Sequence, residues 1–257
     1  MAAASKTVAL RTAAVLFCLA WLTVLGPGKA ASQELPPDVE TARNIASVLI
    51  AARLVISDLQ PQINDPAVGD KKINAKYVVA LTKKQFHEIT GLDLDKLSKD
   101  RRVGLLYQAM LASIGFAVSD REQDIDKAGL GFKGFVPSNF SRAAAVHFNG
   151  MAGGAMRIKL IAPERTRRTE NAKPDNWEQN ALTKRLLAPN WQHGRPYFTS
   201  TAGSDGRRLR VLVPEYFKAS CLACHGGGKG KLDVSGHPME GAKVGDLAAA
   251  VSLSSAR

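Results

Sequence analysis

The spacing of apolar residues changes once along the chain, and this change limits the possible folds more than any other feature of the sequence. Before Gly154, apolar residues recur every three to four positions, which is typical of amphipathic helices. After it, Met156, Ile158 and Leu160 alternate with basic residues, which indicates a half-buried strand. The chain is therefore predicted to be α+β, with a helical N-terminal half packed on a small antiparallel sheet.

The periodicity, together with glycine and proline breaks, also predicts the individual elements. Helices are predicted over Asp38–Leu59, Ala75–Ile89, Asp100–Ala117, Ser138–Gly150 and Trp177–Leu187. Strands are predicted over Met156–Leu160, Pro196–Ser200, Arg207–Val213 and Leu247–Leu253. A further short helix is predicted over Tyr216–Ser220.

The helical half contains a weak internal repeat. Shifting the sequence by 62 residues superposes Val55–Gly91 on Ala117–Gly153 with seven identities in 37 positions. Two copies are too few for a solenoid. We interpret them as two similar helix–loop–helix units, and a coincidence of two helix–turn patterns is the alternative.

The first 30 residues have the pattern of an export signal. Lys6 and Arg11 precede an apolar run, Ala13–Leu25, that is shorter than the roughly 20 residues a membrane-spanning helix needs. The small residues of Gly28-Lys29-Ala30 predict cleavage after Ala30, which would deliver the protein to the periplasm. An uncleaved membrane anchor is the alternative. No integral membrane segment is expected after signal removal.

Signal removal leaves two cysteines, because Cys18 lies inside the signal. Both belong to Cys221-Leu222-Ala223-Cys224-His225, and the C-x-x-C-H pattern attaches haem c. Each thiol adds to a haem vinyl group, and His225 can bind the iron as the proximal ligand. One covalent haem c per chain is therefore expected.

Zinc binding, dithiol catalysis and a structural disulfide each fit the C-x-x-C-H motif less well. A zinc site of the two-CxxC kind needs a second cysteine pair, which the mature chain lacks. A thioredoxin-like dithiol motif usually lies near a βαβ unit, and this assignment would leave His225 unexplained. A structural disulfide across two residues would be strained.

The ligand on the other side of the iron decides between functions. A methionine or histidine there favours electron transfer, whereas an open site binds small ligands. The candidates are His147, Met151, Met110, Met156 and Met239. His147 and Met151 are four residues apart and would share one helical face.

Two further motif matches are rejected as functional sites. Gly129–Gly134 has the G-x-G-x-x-G pattern, but a dinucleotide site needs a preceding strand and an acidic residue about 20 residues later. We expect a glycine turn between helices instead. His87 begins a zincin-like "HEITG", but the second histidine is missing, so we expect a surface residue on a helix.

The formal charge is +12 for the whole chain and +9 once Lys6, Arg11 and Lys29 leave with the signal. A basic chain often binds nucleic acid. Export and the even spread of charge argue against that partner here. The remaining interpretations are a solvated basic surface, or one that meets acidic partners or the propionates of a cofactor.

Several phrases of the chain, taken in order, resemble one family. They are "VISDLQPQINDPAVGDK", "GLGFKGFVP", "NAKPDNWE", "VLVPEYFKASCLACHGG" and "EGAKVGDLAAAVSL". They are similar to haem-c-bearing, PAS-like domains of exported bacterial proteins and of the periplasmic parts of sensor kinases. The resemblance implies an antiparallel sheet that holds one covalent haem through Cys221, Cys224 and His225. It also implies a structural cap and core contact for the "PD-x-WE" phrase formed by Pro174, Asp175, Trp177 and Glu178.

The chain departs from that family in two respects. Some members are similar to a pattern with an additional cysteine as the distal ligand, and the mature chain has none to spare. Many members continue into a transmembrane helix and a kinase, whereas this sequence ends at Arg257. Signalling would therefore need a separate partner.

Together these observations predict a signal peptide over 1–30 and a single haem domain over 31–257. Its helical part covers about 38–153 and its sheet and haem part about 154–257. The expected function is redox or small-ligand sensing by a His-ligated haem, with a small gas as a candidate ligand and an unidentified protein as the partner. The alternative is a periplasmic electron carrier that docks with acidic partners. No enzymatic activity is expected, and a peroxidase-like haem is the enzymatic alternative.

Overall fold

The computed structural model describes residues 1–2, 34–203 and 206–256. Apart from its first two residues, the predicted signal peptide, including Cys18, lies outside the described part. The residues from Leu35 onward form one compact unit, and the helices and strands assigned among the described residues lie within it. Helices and a four-stranded antiparallel sheet make up this unit, so the predicted α+β class is confirmed.

Nine α-helices are assigned within the described residues. They are α1 (Pro37–Asp58), α2 (Gln60–Ile63), α3 (Ala75–Thr90), α4 (Leu94–Leu97), α5 (Gly104–Ser119), α6 (Glu122–Ile125), α7 (Pro137–Met151), α8 (Asn176–Ala181) and α9 (Leu222–His225). A π-helical turn, Leu182–Leu186, continues α8. In this described part, none of the helices combines the length and apolar character needed to cross a membrane.

Local hydrogen bonds explain where α3 and α5 begin. α3 starts after Asn74, whose side chain accepts a hydrogen bond from a backbone N–H of the first turn, and it ends at Gly91, which has φ +71°. α5 begins at Gly104, later than predicted. The reason is that the Asp100 carboxylate accepts hydrogen bonds from the backbone N–H groups of Arg102 and Val103, at 2.7 and 3.1 Å. These bonds fix a separate turn before the helix.

The internal repeat is confirmed as two related helix–loop–helix units. α2 and α6 begin 62 residues apart, as do α3 and α7. The two loops also exchange equivalent hydrogen bonds: Lys71 N donates to Asp126 Oδ1 at 2.8 Å, and Lys133 N donates to Asn64 Oδ1 at 2.9 Å. Because positions 71 and 133, and 64 and 126, are each 62 apart, the units pack about a local two-fold relation.

The strands follow the predicted positions closely. They are β1 (Arg157–Ile161), β2 (Tyr197–Gly203), β3 (Gly206–Tyr216) and β4 (Leu247–Ala256), in the spatial order β1-β4-β3-β2, with every neighbouring pair antiparallel. β3 and β4 form the centre of the sheet. Because β3 leads into the C-x-x-C-H segment and β4 follows it, that segment lies at one end of the central pair.

The two faces of the sheet pack against different apolar clusters. One face contributes Ile158, Leu209, Val211, Val213, Val251 and Leu253 to the large core shared with the long helices. The other face contributes Ile161, Leu212 and Ala250 to a smaller core with α8 and the π-helical turn. Alternate residues of each strand thus enter opposite cores, as the two-residue period of a strand requires.

The two rejected motifs have the structures expected of them. Gly129–Gly134 lies in the loop between α6 and α7, and Gly129 and Gly134 have φ values of +75° and +67°. This is a glycine turn between helices. His87 is exposed on α3, and its Nδ1 lies 3.1 Å from the carbonyl oxygen of Leu92.

Candidate functional site

The C-x-x-C-H segment becomes helical later than predicted. A helix over Tyr216–Ser220 is wrong, because Tyr216 is the last residue of β3 and pairs with Leu247 of β4. A 3₁₀ turn, Ala219–Cys221, then leads into α9. Cys224 and His225 therefore share one short helical turn with Cys221 at its start.

The glycines after His225 end this helix. The N–H of Gly226 donates to the carbonyl oxygen of Leu222 at 2.9 Å, and a Cβ at Gly226 would lie only 2.8 Å from that oxygen. Gly227 has φ +62°, which favours glycine. The chain can thus turn sharply away from the motif at this point.

Residues 226–246, here called the return loop, fold back onto the motif. The N–H of Ala242 donates to the carbonyl oxygen of His225 at 2.8 Å. Phe217 exchanges backbone hydrogen bonds of 3.0 Å with Gly245 and Asp246, and its buried ring lies 4.9 Å from the His225 ring. These contacts fix the C-terminal part of the return loop against the segment that carries the cysteines.

Cys221 and Cys224 are free thiols and both are half-buried. Burial raises the pKa of Cys224, and the negative charge of Asp233 adds to this effect. Cys224 is therefore a neutral thiol near neutral pH rather than an activated thiolate. This environment differs from that of a catalytic dithiol, in which the attacking thiol has a lowered pKa.

His225 is oriented by a carboxylate. Its Nδ1 lies 2.8 Å from Glu240 Oε2. Burial lowers the pKa of His225, and the positive charge of Arg168 adds to this, while Glu240 opposes it. A neutral imidazole with its proton on Nδ1 donates to Glu240 and leaves Nε2 as the free acceptor, which is the arrangement of a carboxylate-supported metal ligand.

Arg168 connects the motif to the return loop. Its Nε and Nη2 bond to the two carboxylate oxygens of Glu240 at 2.7 and 3.1 Å, and its Nη1 bonds to Asp233 Oδ2 at 2.6 Å. Nη2 also donates to the carbonyl oxygen of Cys224 at 2.8 Å. We call Arg168, Asp233, Glu240 and His225 the Arg168 network. The guanidinium of Arg168 thereby joins the C-x-x-C-H segment to the return loop.

The two carboxylates of this network are held in their charged form. The Asp233 side chain is fully buried. Burial alone would raise its pKa, but hydrogen bonds from Ser235, Arg168 and the backbone hold the pKa far below its usual range. Burial likewise opposes ionisation of Glu240, and the hydrogen bond from Arg168 and the contact with His225 outweigh it, so the pKa of Glu240 is also lowered.

A cavity of about 1410 Å³ opens beside the motif. Cys221, Cys224 and His225 line it, together with residues of α1, α7, β1 and β4. Its volume exceeds the usual range for small-molecule sites, about 300–1,000 Å³. The cavity is therefore large enough for a cofactor that reaches both cysteines and the histidine.

The α1 side of the cavity carries a buried ion pair. Arg53 Nη1 donates to Glu215 Oε2 of β3, and their side chains are 16% and 10% exposed. One helical turn after Arg53, Ser57 Oγ donates to Ser220 Oγ at 3.1 Å, next to Cys221. Arg53 Nε is buried and has no hydrogen-bond partner among the described residues.

None of the five candidate distal ligands lines this cavity. His147 stacks on Phe116 at 4.2 Å and contacts Ser113 at 3.0 Å, where α7 meets α5. The remaining four are the methionines: Met110 and Met156 are buried in the large core, Met151 is exposed beside Ser113, and Met239 packs on Gly227 in the return loop. The structure thus places the candidates His147, Met151 and Met110 away from this cavity, and the open site, the fourth alternative, stays a prediction.

His237 lines the cavity although no sequence pattern points to it. It is exposed in the return loop, and its backbone N–H donates to Asp233 Oδ1 at 3.1 Å. Arg168, Glu240 and Arg53 likewise have no role predicted from the sequence, although Glu240 opens the family phrase "EGAKVGDLAAAVSL". No local motif marks them, because each acts on the cysteine segment from a distant part of the sequence.

The "PD-x-WE" phrase has the structural role expected for it. The Asp175 side chain accepts from Glu178 N at 2.9 Å, and the Glu178 carboxylate accepts from Asp175 N at 2.7 Å, which makes a capping box at the start of α8. Trp177 packs on Tyr197 and under Arg210, whose guanidinium carbon lies 4.3 Å from the ring centroid.

The fold and site together define an α+β protein in which a C-x-x-C-H turn, braced by an arginine–carboxylate network, opens on one large cavity. The model of the Tll0287-like family (Tll0287) matches residues 37–256, and the chain belongs to this family. No curated protein and no solved structure matches the chain.

Proposed function

We propose that the protein is an exported c-type haem protein with one covalent haem, and that it senses redox state or a small ligand. The observation that carries this proposal is the placement of Cys221, Cys224 and His225 along one wall of a single cavity of about 1410 Å³. Membership in the Tll0287-like family, which is related to cytochromes, supports it. Delivery to the periplasm is part of the same proposal.

The residues at the cavity fit a haem c. Two free thiols and an imidazole whose Nε2 is available lie on one turn, and these groups would attach a haem c and bind its iron. Arg53, whose Nε–H has no partner among the described residues, lines the same cavity. When bound, haem c supplies an iron centre that exchanges one electron and can take a small ligand.

The chain's own groups have separate roles in this proposal. Cys221 and Cys224 hold the cofactor by thioether bonds, and His225 offers Nε2 to the iron. Glu240 keeps the proton of His225 on Nδ1 and so fixes the tautomer and the ring orientation. Arg168 holds Glu240 in place and is therefore a positioning residue.

The residues that line the cavity favour sensing over electron transfer. The histidine and the methionines considered as distal ligands lie elsewhere, which supports an iron position that an external ligand can reach. We expect ferrous protein to bind carbon monoxide readily, with a large shift of the main absorption band. His237→Ala, which removes the histidine that lines the cavity, is the control variant and should bind carbon monoxide like the wild type. A low-spin ferrous spectrum that carbon monoxide leaves unchanged would contradict the sensing assignment.

Electron transfer is a second candidate because of the charge around the motif. Lys218, Lys229, Lys231 and Lys243 are exposed, and no ion pair is found for any of them in the described part of the chain. The acidic groups Asp233 and Glu240 nearby are already bonded to Arg168. The motif thus has an exposed rim of lysines that suits an acidic partner.

Electron exchange with small charged oxidants tests this second candidate. At low ionic strength, oxidation by ferricyanide should be faster than oxidation by a cationic cobalt complex of similar potential, and added salt should reduce the difference. Lys229→Glu with Lys231→Glu should slow the ferricyanide reaction by about tenfold. Lys76→Glu with Lys99→Glu, on exposed positions of the helical half, makes the same change in net charge and should have little effect. Equal effects of the two double substitutions would contradict a docking role for these exposed lysines.

A further inference from the structure

Arg53 presents a buried hydrogen-bond donor that the protein itself does not use. The side chain is 16% exposed, and Nη1 is bonded to Glu215. Its Nε is fully buried and lacks a partner within the described residues. Buried polar groups in folded proteins are nearly always hydrogen-bonded, so an unpartnered N–H at a cavity wall indicates a ligand with an acceptor atom.

The surroundings of Arg53 indicate where this ligand lies. Arg53 lines the same cavity as Cys221, Cys224 and His225. Ser220, directly before Cys221, bonds to Ser57 one turn after Arg53 on α1. Arg53 therefore belongs to the cavity wall beside the cysteine segment.

The chemistry of a guanidinium selects the ligand class. The guanidinium has N–H donors arranged in a rigid planar fork and no acceptor atom of its own. It forms its strongest hydrogen bonds with an anionic oxygen or a similar acceptor. Glu215 holds one arm of the fork and thereby fixes the position of the other donors. The other α1 residues that line the cavity are Leu54, Ser57, whose hydroxyl is already committed to Ser220, and the exposed Asp58.

We propose that Arg53 binds an anionic acceptor group inside this cavity through its Nε–H. The inference rests on the proposed function, because the group lies beside a bound haem. Two sources have this chemistry: a propionate carboxylate of the haem itself, or a small anion that enters from solution and binds at the iron. Either group would accept a hydrogen bond from the Arg53 Nε–H. A change at Arg53 would alter the vibration of the propionate in the first case and the affinity for added anions in the second.

Arg53→Lys in haem-loaded protein tests the role of Arg53. Lysine keeps the positive charge and can still pair with Glu215, but it lacks the Nε–H and the planar fork. Arg142→Lys is the matched control, because Arg142 also lines the cavity and bonds to Asn139 within its own helix. The probes are azide and fluoride titrated into ferric protein, and the propionate bending band in the resonance Raman spectrum.

Either of two results supports the proposal. A rise of about tenfold in the dissociation constants of azide and fluoride, with an unchanged propionate band, identifies a solution anion as the ligand. A shifted propionate band with unchanged dissociation constants identifies the haem carboxylate. If both readouts match wild type and Arg142→Lys, Arg53 has no such role.

The proposed function and the Arg53 inference fail in different ways. Protein without covalent haem overturns both, whereas fully haem-loaded Arg53→Lys that is indistinguishable from wild type overturns only the second. Arg53→Leu combined with Glu215→Leu removes the donor without leaving an unpaired buried charge. This double variant should show the same change in azide binding or in the propionate band if Arg53→Lys is poorly folded.

Discussion

Replacing Arg168 with methionine is expected to lower the free energy of unfolding by about 3–5 kcal/mol. Methionine fills most of the volume but removes every hydrogen bond that the guanidinium makes to Asp233, Glu240 and the carbonyl oxygen of Cys224. Asp233 is fully buried and Glu240 nearly so, and the loss leaves both carboxylates without their cationic partner. The cost is that of an uncompensated buried charge.

Chemical denaturation of wild type and variant measures this effect, and hydrogen exchange locates it. Protection of the amides of Met239 and Ala242 should fall most, because their hydrogen bonds hold the return loop to itself and to the motif. Arg165→Met is the control, three residues earlier in the same loop. Arg165 is half-exposed, lies 4.0 Å from Asp246 and donates a 3.3 Å hydrogen bond to the carbonyl oxygen of Leu247, so its removal should cost about 1 kcal/mol. Equal costs for the two variants would show that the Arg168 network does not hold the return loop.

The elements of the fold were predictable because they depend on local patterns. Apolar spacing, Asn74, Gly91 and the alternation in β1 all act within a few residues, and the structure confirms the elements they predict. The error at Tyr216–Ser220 arose because strand pairing with β4 extends β3, and pairing is not a local property. The late start of α5 has a local cause, the Asp100 turn, that apolar spacing alone does not reveal.

The distal ligand shows where sequence reasoning ends. His147 and Met151 do share a helical face, because both contact Ser113 of α5, at 3.0 and 4.0 Å. The spacing predicted that face correctly but could not say what the face packs against. In the same way, Arg168 precedes Cys224 by 56 residues, and only the tertiary structure brings them together.

Covalent attachment is the second large effect that the proposed function predicts. Cys221→Ala and Cys224→Ala each remove one thioether bond, so each should reduce the yield of attached haem strongly, and the double variant should carry none. His225→Met keeps both thiols and should retain some attached haem with an altered spectrum, because only the axial ligand changes. Trp177→Phe, in the separate core beside α8, is the control and should retain full attachment. Attachment that survives in the double variant would contradict a thioether link.

The intact mass of the protein, purified after export from cells that mature c-type haem, tests the central claim most directly. The proposed function predicts the polypeptide mass plus that of one haem, which remains after denaturation and acid extraction because thioether bonds survive both. The mass of the polypeptide alone, from a preparation in which a known c-type cytochrome is fully matured, would contradict the claim.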